Sequence, residues 1–413
     1  MEVTLAYGRT GLAVEVPDDA VVIRPTSLPG LPDEGAAIGA EVEPWLSSMA
    51  ARARRAVVVF PDITRPMPNR TVLPPLLSCL ASAGLGPDEV SLLCGTGTHR
   101  AATPEELAEL VGPDIVSRYS VRNHLAADHS GHVEVGAVDG VPVLLDREWV
   151  EADLRIVTGF VEPHFFAGFS GGPKGVCPGI AGLETILEAH HPRRIADRRA
   201  TWTVLAGNPV HEFVVAAAAL APPSLSIDVA INLERQVTAV FAGPLPSAYR
   251  AACAYVERTA VQRVPGRFDV VVSTNSGYPL DRNLYQAVKG MAAAERVVAP
   301  GGTILMAAAC QDGVPQGSAF ERILGAVPEP GALLAGESPP SLDYWQAQVL
   351  ARVLQQATVQ LRSDGLSEAD ARRAFLEPVD DLSAAVDRAR TGAGSGARVC
   401  VLPDGPLTVA TPA

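Results

Sequence analysis

Four polar stretches rich in glycine and proline hold most of the residues able to do chemistry: "PDITRPMPN", "GTGTHR", "EPHFFAGFSGGPKG" and "TNSGYPLDRN". The third carries Lys174. A lysine in a partly dry loop can shed its charge and act as a nucleophilic amine. The phosphate-loop pattern G-x-x-x-x-G-K-[ST] fails, because Pro173 precedes Lys174 and Gly175 follows it. Nucleoside triphosphate hydrolysis is therefore set aside. The N–H groups of Gly171 and Gly172 remain able to cradle a single phosphate, since glycine permits close backbone approach. A solvated lysine on a turn is the plainer alternative.

The chain has eight histidines. His99 and His164 each close a stretch that reads as a strand. On either side of a cleft they would form an acid/base pair, because imidazole titrates near neutral pH. His190 and His191 end a helix expected to open at Pro178-Gly179. Adjacent helical residues point ~100° apart, so both do not easily face one ligand. "HLAADHSGH" offers His124, His129 and His132 without strict zinc spacing, and a polar surface loop is expected there. Arg65, just after Asp62, can grip a carboxylate through two parallel bonds. In "YQAVKG", Tyr285 and Lys289 share a helical face and Gln286 is a near neighbour. An amphipathic surface helix would look the same.

The elements that must hold these residues are legible in outline. "RRAVVVFPD", "DEVSLLCG", "ADLRIVTGF", "FDVVVST", "GGTILMAAA" and "ARVCVL" read as buried strands. A helix is expected from Asn69 to Ala83. "TPEELAELVG" has an N-cap threonine with proline at the first helical position. "EVTLAYGRTGLAVEVP" reads as a hairpin. Strands alternating with helices imply an α/β protein with mostly parallel sheets. The four chemical stretches follow strands, where such sheets place ligands. A helix break at Pro265-Gly266 suggests two α/β domains, 1–264 and 265–413.

The 413 residues are 47% apolar and 19% charged, as in a globular protein. A formal charge of −13 opposes binding to nucleic acid and anionic membrane. No signal peptide or long apolar run is read, and the six scattered cysteines suit reduced thiols, so a cytoplasmic location is expected.

Taken in order, "DITRPMP", "GTGTHR", "EPHFFAGFSGGPKGVCPGIAGLETILEAHH", "GNPVH", "DRNLYQAVKGM" and "CQDG" resemble the nickel-pincer lactate racemase (LarA) family, over roughly Val57 to Trp345. The resemblance implies two α/β domains with the active site in the cleft between them, and a racemase or epimerase of 2-hydroxy acids, hence an isomerase. Its cofactor would be a pyridinium mononucleotide whose two sulfur-bearing arms and ring carbon hold nickel. Lys174 matches the lysine that can attach covalently to that cofactor, and His190 the histidine completing the nickel coordination. His99 and His164 match the two catalytic histidines, and Asp62 and Arg65 the polar pair near cofactor and substrate. Tyr285, Gln286 and Lys289 match the substrate-side cluster, and Trp345 a pocket tryptophan. A sulfur-rich nickel site needs only one protein imidazole, and Gly171 and Gly172 suit the single phosphate.

The implied reaction moves the α-hydrogen as hydride to the cofactor and back, through a planar 2-keto acid, with a histidine handling the hydroxyl proton on each face. The implied partners are a small 2-hydroxy acid and the cofactor-making enzymes. Two alternatives stand beside this reading: a sugar-acid 2-epimerase with the same cofactor, and a non-catalytic nickel-cofactor binding protein. A nicotinamide oxidoreductase lacks its G-x-G-x-x-G fingerprint here.

Overall fold

The computed structural model describes residues 1–334 and 338–413. It divides into two compact units, each built from more than one chain segment.

One unit comprises 27–190 and 203–258. Its six-stranded sheet runs in the order Val237–Gly243, Leu225–Ile231, Leu154–Phe160, Ala56–Pro61, Val90–Gly95 and Ser120–Asn123. Every neighbouring pair is parallel except the first. The run Ala56–Phe60 is wholly buried because both faces are covered. Val58 and Phe60 join a core with Ile38, Val42 and Leu46 of the helix Glu34–Met49 and Leu73 and Leu76 of the helix Asn69–Ser82. Val57 and Val59 join the opposite core with Trp149, Ile186, Phe213 and Val214. The period-two alternation of a strand thus feeds both layers. The helix Pro104–Val111 starts with the expected cap, completed by a reciprocal bond between Thr103 and Glu106.

The other unit comprises 1–26, 191–202 and 259–413. Its six-stranded sheet is parallel throughout, in the order Glu377–Pro378, Thr358–Arg362, Val298–Ala307, Phe268–Thr274, Val399–Leu402 and Val21–Val22. The hairpin Glu2–Leu5 and Leu12–Glu15 packs Val3, Leu5 and Val14 against Val270, Val272, Leu305 and Val401. The two mostly parallel sheets fit the fold class read from the sequence.

The division is not a single cut between 264 and 265. Val21–Val22 adds an edge to the second sheet, and Val261–Val264 pairs with Val409–Pro412, so both ends of that unit draw in earlier chain. Among the described residues no helix is long and apolar enough to cross a membrane.

Candidate active site

Asp62 follows directly on the strand Ala56–Pro61 and is buried. One carboxylate oxygen lies 2.8 Å from His99 Nδ1, and the other accepts from the Thr64 hydroxyl at 2.7 Å. Burial pushes this carboxyl up. The His99 bond and charge, Arg65 and Thr64 outweigh it and hold Asp62 below its ordinary range. An ionised Asp62 accepts the Nδ1–H of His99, which leaves Nε2 with the lone pair of a base. Arg65 donates to the Thr64 hydroxyl at 3.1 Å and so belongs to the same cluster. His99 itself sits on the turn after Val90–Gly95, where Gly97 adopts φ +55° and bonds to the Gly179 carbonyl.

His164 is held by the backbone instead of by a carboxylate. It lies on a short hairpin, paired with Gly168, and its Nδ1 accepts from the Phe166 and Ala167 amides at 3.5 and 3.2 Å. Its Nε2 lies 3.4 Å from Lys174 Nζ.

Phe166 joins three of the expected residues. Its ring meets His164 at 4.5 Å and His190 at 5.4 Å, both edge-on, and Lys174 Nζ lies 5.5 Å from its centre. Phe165 stacks on His164 at 4.8 Å. His190 caps the helix Leu183–Ala189, and its Nδ1 bonds the Ile186 carbonyl at 2.8 Å. Burial and the Lys174 charge lower its pKa to about 4, against a smaller opposing effect of the Ile186 bond. At neutral pH the imidazole is uncharged with Nε2 as its lone-pair nitrogen, the form a metal binds. Cys177, beside this loop, is pushed up to about 12 by burial and remains a thiol.

The lysine loop differs from expectation in one respect. The Gly172 N–H does not stand open for a phosphate; it donates to the buried Asp228 carboxylate at 2.8 Å. Three other expectations are also corrected. The helix before His190 opens at Leu183, capped by Gly182, instead of at Pro178-Gly179. His191 is the N-cap of the next helix, Pro192–Ile195. The segment around His124 is not a surface loop throughout. His124 and His132 are buried and bonded to the Ala181 and Asp128 carbonyls, and only His129 of the three is exposed. Among the described residues no three His, Cys, Asp or Glu side chains gather as a metal cage.

In the other unit, Tyr285, Gln286 and Lys289 occupy the half-buried side of the helix Leu284–Glu295, while Leu284, Ala287, Val288 and Met291 face the core. The Asn283 side chain caps the helix at the Gln286 amide. Trp345, in the helix Tyr344–Gln356, donates its indole N–H to the Tyr285 hydroxyl at 3.1 Å. The structure thus gathers Asp62, Thr64, Arg65 and His99 in one cluster, and His164, Lys174 and His190 in another around Phe166. Tyr285 and Trp345 meet in the second unit. Sequence reasoning missed Phe166 and Asp228; the signals were paired aromatics after His164 and a lone carboxylate inside the apolar run "LSIDVAI".

The family model for the lactate racemase N-terminal domain matches residues 7–203, and that for the lactate racemase C-terminal domain matches 263–410. The chain is 37% identical over 368 residues to the lactate racemase of Lactiplantibacillus plantarum, covering 87% of this chain and 86% of that protein. It is 32% identical over 419 residues to the lactate racemase of Thermoanaerobacterium thermosaccharolyticum, covering 98% and 97%. The structure of the lactate racemase apoprotein from the latter organism superposes with a TM-score of 0.93 at 30% identity, over 99% of this chain and all of that one. A Thermotoga maritima protein shares the fold, with a TM-score of 0.72 at 19% identity over 92% and 98% of the two chains. Two family domains in order, nearly full-length relatives and a shared backbone agree with the motif order at the strand exits: the chain belongs to the lactate racemase family.

Proposed function

We propose that this protein interconverts the enantiomers of a short 2-hydroxy acid, lactate first among them, using the family's nickel-pincer nucleotide. The observation that carries the proposal is that His99 and His164 are each held at Nδ1, one by the Asp62 carboxylate and the other by the Ala167 amide, which leaves Nε2 of each ring for proton transfer. Exchanging a hydroxyl proton on either side of a planar intermediate requires such a pair.

The residues fit the cofactor. His190 is buried, neutral and held in one tautomer by the Ile186 carbonyl, as a lone imidazole ligand to nickel should be. Lys174, across the Phe166 ring, is the proposed point of covalent attachment. When bound, the nickel-pincer nucleotide supplies reversible hydride acceptance from the substrate α-carbon.

The chain's residues do the rest. His99 Nε2 takes the hydroxyl proton from one enantiomer, and Asp62 steadies the imidazolium so formed. His164 serves the other enantiomer through its own Nε2. Arg65 and Lys289 are proposed to hold the carboxylate, with Tyr285, Gln286 and Trp345 shaping specificity. Racemisation needs the planar 2-keto acid to present either face to the returning hydride, and the histidine then beside its oxygen supplies the proton.

The test is to co-express the protein with cofactor-making enzymes, then assay both enantiomers of a panel of 2-hydroxy acids by chiral chromatography. Interconversion of lactate or another short acid is expected. Preference for a sugar acid would reassign the substrate. Protein carrying nickel and cofactor mass that racemises nothing would overturn the enzymatic reading.

A further inference from the structure

The lysine loop is braced by a buried carboxylate from a different strand. Asp228 lies within the strand Leu225–Ile231 and has no solvent exposure. One of its oxygens accepts the Gly172 amide at 2.8 Å, and the other accepts the Ser226 hydroxyl at 3.0 Å. The glycines around it leave the room it needs. A Cβ at Gly171 would stand 2.7 Å from the Asp228 oxygen, and one at Gly159, its partner across the sheet, 2.9 Å. From the other side the Tyr249 ring closes over Gly172, where a Cβ would fall 2.3 Å from it, and the Tyr249 hydroxyl donates to the Phe169 carbonyl. Two residues after Gly172 the chain presents Lys174, whose own amide closes the turn on the Gly171 carbonyl at 3.1 Å.

A carboxylate sealed in a sheet interior is disfavoured, and burial pushes Asp228 up to about 6 against the opposing bonds from Gly172 and Ser226. An apolar residue would fill a strand interior without that cost. What the carboxylate alone provides there is an acceptor aimed at the amide that starts the Gly172–Gly175 turn.

We propose that Asp228 is a positioning residue for Lys174: its oxygen fixes the Gly171–Gly172 turn and thereby the direction from which the lysine amine meets the cofactor. The proposal rests on Lys174 being the attachment point. The role belongs to the hydrogen-bond acceptor, so an amide of the same shape should fulfil it.

The experiment compares the parent with Asp228→Asn and Asp228→Leu, each co-expressed with cofactor-making enzymes. Cofactor uptake is read as the fraction of chains with added intact mass, and folding is checked by thermal melting. Asn should load within about twofold of the parent. Leu should load roughly tenfold less or worse, the scale of one buried hydrogen bond. A folded Leu variant that loads like the parent would overturn the proposal, as would an Asn variant that loads as poorly as Leu.

Amide hydrogen exchange on the cofactor-free parent needs no variant and no bound cofactor. The Gly172 amide should exchange at least tenfold more slowly than the amides of Gly140 and Gly396 in exposed turns, the protection expected of a buried bond. Equal rates would sink the brace even if the Leu variant fails to fold. If the parent takes up no cofactor at Lys174 while the Gly172 amide is protected, it is the functional reading that fails.

Discussion

The Nδ1–H of His190 donates to the Ile186 carbonyl at 2.8 Å, one helical turn back. The bond fixes which nitrogen the ring offers, and Phe166 stands edge-on beside it. Both partners belong to one unit. Helix geometry therefore orients this imidazole before any ligand arrives.

His190→Gln should leave the fold intact and the metal lost. Nickel content, measured by elemental analysis of the loaded protein, is expected to fall at least tenfold, the lower end of what disturbing a metal site costs. The mass added at Lys174 should remain. Nickel retained at the parent's level would remove His190 from the coordination sphere.

Asp62→Asn tests the other orientation device. An amide cannot accept from His99 Nδ1–H as a carboxylate does, and it favours the wrong tautomer at Nε2. Turnover should fall on the order of 10³-fold or more with a smaller change in KM. A drop confined to KM would make Asp62 a binding group instead.

His99→Ala and His164→Ala should each abolish interconversion, because a racemase needs both proton handlers. The double variant should be little worse than either single one, since residues acting as a unit are not additive. Loss of optical rotation, followed from each enantiomer separately, checks this. A single variant keeping most of the parent's rate in both directions would contradict the two-histidine scheme.

Gly171→Ala should destabilise the lysine loop. Gly171 sits at φ +77°, ψ −171°, a region almost reserved for glycine. The added methyl would also press to 2.7 Å of the Asp228 oxygen. Strain of about 1–3 kcal/mol and overpacking of about 1–3 kcal/mol are expected together. Urea unfolding should therefore show a lower midpoint and, in cofactor-loading assays, less added mass. An unchanged midpoint would mean the loop relaxes freely.

The residues legible in the sequence were those whose neighbours are local. Asp62, His99 and His164 each follow a strand by a few positions, so the periodicity that marks the strand also marks its exit. The glycines of the lysine loop were legible as a special backbone, but not which partner they meet. Gly172 bonds Asp228 across 56 positions of chain, and no local pattern reports so distant a partner. The same limit explains the domain cut. Val21–Val22 is too short to announce its sheet, and only the register with Cys400 and Val401 assigns it. His124 read as surface because its segment is polar; its burial depends on the Ala181 carbonyl and Asp146, both remote in sequence. Tyr285 and Lys289 were placed on one face by helical spacing alone, whereas the Trp345 bond to Tyr285 required two helices to pack.

The pH dependence of stability should carry the mark of Asp228. Its pKa rises from an ordinary 3.8 to about 6 in the fold, chiefly through burial, with the Gly172 and Ser226 bonds opposing. The titratable groups facing it from the helix Leu245–Ala260 are Tyr249 and Cys253; burial pushes both up, so both stay neutral below pH 8. Between pH 4 and 6 the folded protein therefore holds a proton that the unfolded chain has released. Stability from this group is intact below pH 4, declines as pH rises through 6 and stays low above it. About two pKa units correspond to roughly 3 kcal/mol at most. Asp228→Asn has no charge to bury, so it should unfold at higher urea than the parent at pH 8, with the difference closing as pH falls to 4. A parent and variant that stay parallel across that range would mean Asp228 titrates as an ordinary carboxylate, and that its burial imposes no cost on the fold.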